Sequence, residues 1–228
     1  MRITEIRPQE RNPSRRNLYL DGNFALGLSM ETLLRYGLRK GDEISAETLQ
    51  RIQQTEERVN ARAAALRYLG IRPRTVKEVR DKLSEKEFGD EEIAATIVDL
   101  EKAGLLNDAE FARMYIRDRM RTRPSGALLL KRKLLLLGID KAMIAEALLE
   151  TGHADQTLES ALEIADTFAT KARVMHPDDP PSKLWKRVAS FLGRRGFDWE
   201  TVQTVVSQVV REHSSGEDDA RPNIEDRL

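Results

Sequence analysis

Apolar side chains recur at helical spacing along most of the chain, beginning after Ser45. Asp90 is an acidic residue of the kind that is typical of a helix start. Gly138 and Gly196 are typical of helix ends. The pattern predicts helices near residues 46–69, 75–86, 91–103, 108–122, 126–137, 141–150, 156–172, 182–194 and 199–212. The fold is therefore expected to be mainly α-helical.

The first 45 residues follow a different pattern. Residues 17–28 alternate apolar and polar side chains on either side of Asp21-Gly22, and Asp-Gly between such runs favours a β-hairpin. Ser29 is placed to cap a short helix over residues 30–35, and Ser45 to cap the next helix. We predict an N-terminal element, residues 1–45, that holds a small β-hairpin and one short helix.

The helical region contains an internal repeat. An apolar turn residue is followed five positions later by the first apolar residue of a helix at Phe88 and Ile93, Ile139 and Ile144, and Phe197 and Val202. Units this short bury little surface alone, so neighbouring units are expected to stack. The predicted architecture is an elongated array of three tandem three-helix repeats, residues 46–107, 108–155 and 156–213, before a disordered acidic tail, residues 214–228.

Composition narrows the class of protein. Of the 228 residues, 40% are hydrophobic and 33% are charged, which is too apolar for a disordered chain and too charged for a membrane protein. Residues 1–8 lack the apolar stretch of a secretory signal. The absence of cysteine excludes disulfides and thiolate metal sites and favours a reducing compartment. We expect a cytoplasmic protein with no membrane contact.

The sequence motifs of common enzyme classes are absent. There is no Gly-Lys pair for a phosphate-binding loop, no His-Glu-x-x-His and no Gly-x-Ser-x-Gly. We therefore expect no enzymatic activity, no cofactor and no metal. An active site assembled from distant residues would leave no such motif, so an enzyme stays open as a minor alternative.

The charges are balanced in total but segregated along the chain. There are 38 basic and 38 acidic residues, which excludes a uniformly basic protein that coats nucleic acid. Residues 85–110 nevertheless hold nine acids and two bases, and residues 111–133 hold eight bases and one acid. The second window is the candidate binding region.

Within that window, Arg113, Arg117 and Arg121 recur every four residues and form one stripe on a predicted helix. They either pair with the acidic window or meet a partner. Arg119 and Arg123 add to the charge, and three consecutive bases span about 200° of the next helix, so not all can face one acidic neighbour. The candidate contacts to a partner or to DNA are Arg113, Arg117, Arg121, Arg123, Lys131, Arg132 and Lys133.

The apolar residues around these bases are expected to form the core. Leucines surround the helix at residues 126–137 on most sides, which predicts a helix packed between two neighbouring units. Trp185 and Trp199 lie at predicted helix starts beside apolar neighbours, so we expect packing roles and not base stacking.

The ordered motifs resemble those of the RecX family of bacterial regulatory proteins. The central match comprises Gly104-Leu105-Leu106-Asn107-Asp108-Ala109-Glu110-Phe111-Ala112, Tyr115-Ile116, Arg119, Gly126 and Lys133-Leu134 to Gly138-Ile139. Leu20-Asp21-Gly22-Asn23-Phe24-Ala25 resembles the amino-terminal segment of the family. Glu87 departs from the pattern, since the family commonly has glycine there, and we expect Gly89 to supply the left-handed cap instead.

The resemblance implies an elongated, curved array that binds the RecA recombinase and its filament on single-stranded DNA and restrains recombination and ATP hydrolysis. We expect the protein to be a monomer. It also implies no catalysis and no cofactor. Two other classes stay open. Three-helix units with glycine turns also fit an autonomous helix-turn-helix-like DNA-binding protein, and the chain could be an adaptor for another helical partner.

Overall fold

The computed structural model describes residues 1–215, apart from the side chains of Asp155, Ser214 and Ser215. The predicted acidic tail lies outside the described residues from residue 216 onward. The elements are β1 (Ile3–Pro8), β2 (Arg15–Leu20), β3 (Asn23–Ser29), α1 (Met30–Arg35), α2 (Ala46–Leu69), α3 (Val76–Ser84), α4 (Asp90–Lys102), α5 (Asp108–Thr122), α6 (Ala127–Leu136), α7 (Lys141–Glu150), α8 (His153–Met175), α9 (Pro181–Arg194) and α10 (Trp199–Ser215).

Three helices per repeat follow a small β element, as predicted. The first repeat comprises α2 to α4, the second α5 to α7 and the third α8 to α10. The chain divides into two compact units, residues 1–107 and residues from Asp108 onward, so the second unit holds two repeats. The mainly helical, repeated fold is therefore confirmed, whereas the limits of each repeat and the elongated arrangement stay predictions.

The N-terminal element is a three-stranded antiparallel sheet in the order β1-β2-β3. Asp21 and Gly22 both have positive φ, 49° and 85°, which is the signature of the tight hairpin turn that the sequence predicted. Strand β1 was not predicted. Its charged side chains face outward, and they obscure the alternation of apolar and polar residues by which a strand is identified in a sequence. Its first residue, Ile3, is fully buried against the sheet core.

A buried carboxylate joins the sheet to α2. Glu56 accepts hydrogen bonds from the Arg15 guanidinium at 2.7 Å and from the Ser29 backbone N–H at 2.8 Å. Arg15 also donates to the side chain of Asn60 at 2.6 Å. Because only 4% of Glu56 is exposed, these partners are what make its burial tolerable.

The start of α3 is held by a reciprocal cap. The Thr75 hydroxyl accepts from the Glu78 N–H, and the Glu78 carboxylate accepts from the Thr75 N–H. The expected left-handed cap at Gly89 is wrong. Glu87 itself adopts φ 62°, whereas Gly89 has φ −66° and precedes α4 in an extended conformation. The turn after α3 therefore keeps its left-handed position and accepts a non-glycine residue there, at a cost of about 1 kcal/mol.

The second unit contains two cores. The second repeat buries Ile116, Leu130 and Leu134. The third repeat places alanines every three or four residues along α8 against valines of α10. Helix α8 is longer than predicted, since it begins directly after the left-handed Gly152. Within residues 1–215, no helix combines the length and the apolar character needed to cross a bilayer.

Candidate functional site

Five basic side chains line one groove in the second unit. Arg119 and Arg123 come from the end of α5, Lys133 from α6, and Arg194 and Arg195 from the end of α9. The groove encloses about 350 Å³, and its wall also contains Tyr115, Ser125 and Leu129. The basic groove, as we call these five side chains and their wall, joins the second repeat to the third.

A backbone contact between two glycines builds the basic groove. The Gly126 N–H, at the start of α6, donates to the Arg195 carbonyl at 3.0 Å, and the Leu128 N–H donates to the Gly196 carbonyl at 3.2 Å. The turn after α9 thus caps the first N–H groups of α6, which have no partner within their own helix. This contact brings Arg194 and Arg195 beside the bases of the second repeat.

Only glycine fits at either side of this contact. A Cβ on Gly126 would lie 2.1 Å from the Gly196 carbonyl oxygen, and a Cβ on Gly196 would lie 2.3 Å from the Leu129 nitrogen. Gly196 also has φ 80°, which side chains rarely adopt. We call this contact the glycine seam.

Aromatic rings and carbonyls position two of the arginines. The Arg119 guanidinium lies over the Tyr115 ring, 5.1 Å from its centroid. The Arg195 guanidinium lies 4.8 Å from the Phe191 centroid and donates to the Pro124 carbonyl at 3.2 Å. Both guanidinium groups are therefore held in place before any ligand arrives.

The basic groove has no acidic partner among the described residues. None of its five bases forms an ion pair with a residue in the described part of the chain. Burial lowers the pKa of the Arg195 guanidinium, and the positive charge of Arg123 lowers it further. Arginine stays charged at neutral pH even so. An anion in the groove would relieve this repulsion.

The structure separates the candidate residues of the sequence stripe on α5. Arg113 donates to Glu110 at 3.0 Å and to Glu150 at 2.8 Å, and these hydrogen bonds, chiefly that of Glu150, raise its pKa. Arg117 is exposed, and Arg121 is 82% exposed with only a 3.8 Å ion pair to Asp118. Pairing with acids therefore describes Arg113 but not its two neighbours in the stripe.

The remainder of the stripe lies on another side of α5 from the basic groove. A helix turns about 100° per residue, so Arg117 and Arg121 lie about 200° around α5 from Arg119 and Arg123. The three consecutive bases on α6 also diverge. Lys133 enters the basic groove, whereas Lys131 and Arg132 project from other sides of α6.

Arg194 and Arg195 were absent from the candidate residues. The signal that could have found them is the base-rich third repeat, where residues 183–211 hold six bases and two acids. Sequence alone could not show that the turn after α9 contacts the start of α6, because the two lie about 70 residues apart.

The expected packing roles are only partly met. Leu130 and Leu134 are buried, but Leu128, Leu135 and Leu136 are exposed, so the expectation that α6 is enclosed on most sides is wrong. Trp185 packs against the core of the third repeat, whereas Trp199 is 61% exposed and contacts Trp185 edge to face.

No metal-binding cluster accompanies the basic groove in the part of the chain that the structure describes. Among residues 1–215, no group of three or more His, Asp or Glu side chains is arranged to hold a metal ion. His153 is buried, and its ring nitrogen lies 2.9 Å from the Ser125 carbonyl oxygen. We interpret this contact as structural, because it ties the start of α8 to the segment between α5 and α6.

Three models of one family match successive parts of the chain. They describe the regulatory protein RecX N-terminal domain, residues 1–45, the first RecX three-helix domain, residues 61–100, and the second RecX three-helix domain, residues 107–148. The chain is 31% identical over 215 residues to a regulatory protein RecX of Bacillus licheniformis, which covers 94% of this chain and 80% of that protein. It is 30% identical over 211 residues to a regulatory protein RecX of Clostridium beijerinckii, covering 92% and 96%.

Solved structures agree with the sequence matches. A crystal structure of a regulatory protein RecX is similar with a TM-score of 0.69 and 25% identity, over 90% of this chain and 98% of that one. RecX from Lactobacillus salivarius is similar with a TM-score of 0.60 and 27% identity, over 68% and 97%.

Proposed function

This chain belongs to the RecX family of regulatory proteins, and from that premise we propose that it acts without catalysis on the RecA recombinase. It binds the filament that RecA forms on single-stranded DNA and restrains recombination and ATP hydrolysis there. It thereby regulates DNA repair. No cofactor takes part in this role.

The observation that carries the proposal is the basic groove. Five cations that form no ion pair with a described residue meet around one space of about 350 Å³, and such a cluster suits the phosphates of a nucleic acid. A RecA filament presents DNA phosphate beside protein surface. Of the sequence candidates, Arg123 and Lys133 have the best placement for phosphate, and Arg113 is occupied by glutamates. Arg117, Lys131 and Arg132 form no ion pair with a described residue, Arg121 has only the 3.8 Å ion pair to Asp118, and these four lie outside the basic groove.

Charge reversal tests this assignment through the DNA-dependent ATPase of RecA. Wild-type protein should inhibit the ATPase, and Arg123→Glu with Lys133→Glu should inhibit at least about tenfold less, because two phosphate contacts become repulsive. Arg117→Glu with Arg121→Glu measures the stripe on α5 separately. Arg58→Glu with Arg62→Glu, two exposed arginines on α2 in the first unit, is the matched control. Unchanged inhibition by both folded test variants would contradict the assignment.

Autonomous DNA binding is the second candidate function, and the same groove supports it. It predicts tight binding to naked DNA, with log affinity falling by about 0.7 per phosphate contact against log salt on single strands. A titration with naked single-stranded DNA, run beside a filament pull-down, separates the two. Strong naked-DNA binding without preference for the filament would favour the second candidate.

A further inference from the structure

Helix α6 exposes an unusual outward face. Leu128, Leu135 and Leu136 are 58%, 42% and 64% exposed on a helix of ten residues. Lys131 and Arg132 lie among them and form no ion pair with a described residue. At about 100° per residue, these five side chains cover one continuous sector of roughly 140°. We call this sector the α6 face.

The α6 face continues into an apolar groove. Lys131 borders a space of about 470 Å³ whose walls include Ala145, Leu148 and Leu149 of α7 and Leu158 of α8. Among the described side chains that line the groove, one is acidic: Asp198, whose carboxylate already accepts from the Thr201 N–H and hydroxyl. Helix α6 itself carries no acid. Among the described side chains of α6 and the groove, Lys131 and Arg132 therefore have no acidic partner.

We propose that the α6 face, with the groove beside Lys131, docks a helix of a protein partner that carries carboxylates beside leucine-like side chains. A helix laid along a groove is a common recognition mode, in which apolar anchors bind in the groove and charges fix the register. The leucines supply the anchoring surface, and Lys131 and Arg132 select the carboxylates. The inference deepens the proposed function, and the part of its test that uses RecA filaments rests on that function.

The arrangement of the face disfavours other occupants. A second copy of this chain on a symmetric interface would bring Lys131 and Arg132 against the same cations. A membrane would bury Arg132, which lies between Leu128 and Leu136 and not at the edge of the apolar sector. Nucleic acid would leave the leucines without apolar contacts. A protein surface with both carboxylates and apolar side chains satisfies every group.

A peptide titration tests the inference without RecA. The probe is a synthetic helical peptide with leucine and glutamate at helical spacing, and its comparison peptide has lysine in place of glutamate. By NMR, the glutamate peptide should shift the amide signals of Leu135 and Arg132, and the lysine peptide should not. Arg132→Glu with Leu136→Gln should weaken binding at least about tenfold, as expected when two interface anchors are lost. Leu34→Gln with Arg35→Glu, a matched exposed pair on α1, should not.

A second experiment, with RecA filaments, connects the inference to the proposed function. Arg132→Glu with Leu136→Gln should reduce capture by RecA filaments at least about tenfold and leave binding to naked single-stranded DNA unchanged. If wild-type protein fails to bind filaments, the proposed function is wrong while the peptide result still decides the inference. The inference would be overturned if both peptides bound equally, or if the glutamate peptide shifted amide signals outside α6 and its groove. Binding of this face to anionic vesicles or to a second copy instead would also overturn it.

Discussion

The first and second repeats share a three-helix design but use their charged side chains differently. In the first repeat, the Glu78 carboxylate forms ion pairs with Arg72 at 2.5 Å and with Arg74 at 3.4 Å. Lys77 forms an ion pair with Asp81 at 2.6 Å. In the second repeat, Arg119, Arg123 and Lys133 form no ion pair with a described residue and meet further arginines from the third repeat. These charges of the first repeat pair with one another, whereas the bases of the basic groove are available to a ligand. The variants below test this contrast by the free energy of unfolding.

The largest effect is expected at the buried carboxylate of the first unit. Glu56→Ala removes the carboxylate that pairs with the Arg15 guanidinium and accepts from the Ser29 N–H, so the free energy of unfolding should fall by about 3 kcal/mol. Urea unfolding followed by circular dichroism measures this. Glu57→Ala, at the exposed neighbouring position, should change it by less than about 0.5 kcal/mol. Similar losses for both variants would show that Glu56 has no special role.

The glycine seam should give the next largest effect. Gly196→Ala forces a methyl group to within 2.3 Å of the Leu129 nitrogen, in a backbone conformation that alanine disfavours. We expect a loss of about 2 kcal/mol and weaker binding of single-stranded DNA, because the arginines of α9 shift away from Lys133. Tryptophan fluorescence reports the unfolding, since Trp185 and Trp199 both lie in the third repeat. Gly193→Ala, where an added Cβ meets no atom within 4 Å, is the control.

The cap of α3 should contribute less and should depend on pH. Burial would raise the pKa of Glu78, but hydrogen bonds from Arg72 and from the Thr75 backbone outweigh it and lower the pKa below 4.5. The stabilisation is therefore complete above about pH 4.5 and is lost as pH falls through the lower folded-state pKa. Glu78→Gln should cost about 1 kcal/mol at pH 7 and flatten this part of the pH profile. An unchanged profile between pH 5 and 3 would contradict the assignment.

The smallest effect on stability is expected in the basic groove. Arg123→Gln with Lys133→Gln removes repulsion and no ion pair, so stability should stay within about 0.5 kcal/mol of wild type or rise slightly. The slope of log affinity for single-stranded DNA against log salt should become shallower by about 1.4, for two lost contacts. Arg117→Gln with Arg121→Gln should leave that slope unchanged if the stripe meets protein. A marked loss of stability in the groove variant would place these bases inside the fold, as in the first repeat.

Local signals predicted most of the fold. The side chains of Ser29 and Ser45 accept hydrogen bonds from the N–H groups of Thr32 and Thr48, as the cap pattern indicated. Helix α2 spans the predicted residues. Strand β1 escaped prediction because an edge strand with charged side chains carries little alternation. The left-handed conformation of Glu87 was not predicted, because a non-glycine residue can take a left-handed turn position when its neighbours enforce it.

The candidate site was less predictable than the fold. Arg123 and Lys133 were among the sequence candidates and lie in the basic groove, but Arg113 is neutralised by Glu150, 37 residues away in sequence. Charge windows count residues in order along the chain. They cannot show which cations share a groove or which acid a helix from the same repeat presents.

The sequence by itself determined most of the helices and caps, the hairpin turn and the family, because each depends on residues a few positions apart or on their ordered spacing. Only the tertiary structure decided where the charge is available. The close approach of Gly126 to Gly196 gathers the bases of two repeats into one groove, and the packing of α6 leaves three leucines in solvent. The physical reason is that charge and apolar surface act through distances in space, which are set by contacts between residues far apart in the chain.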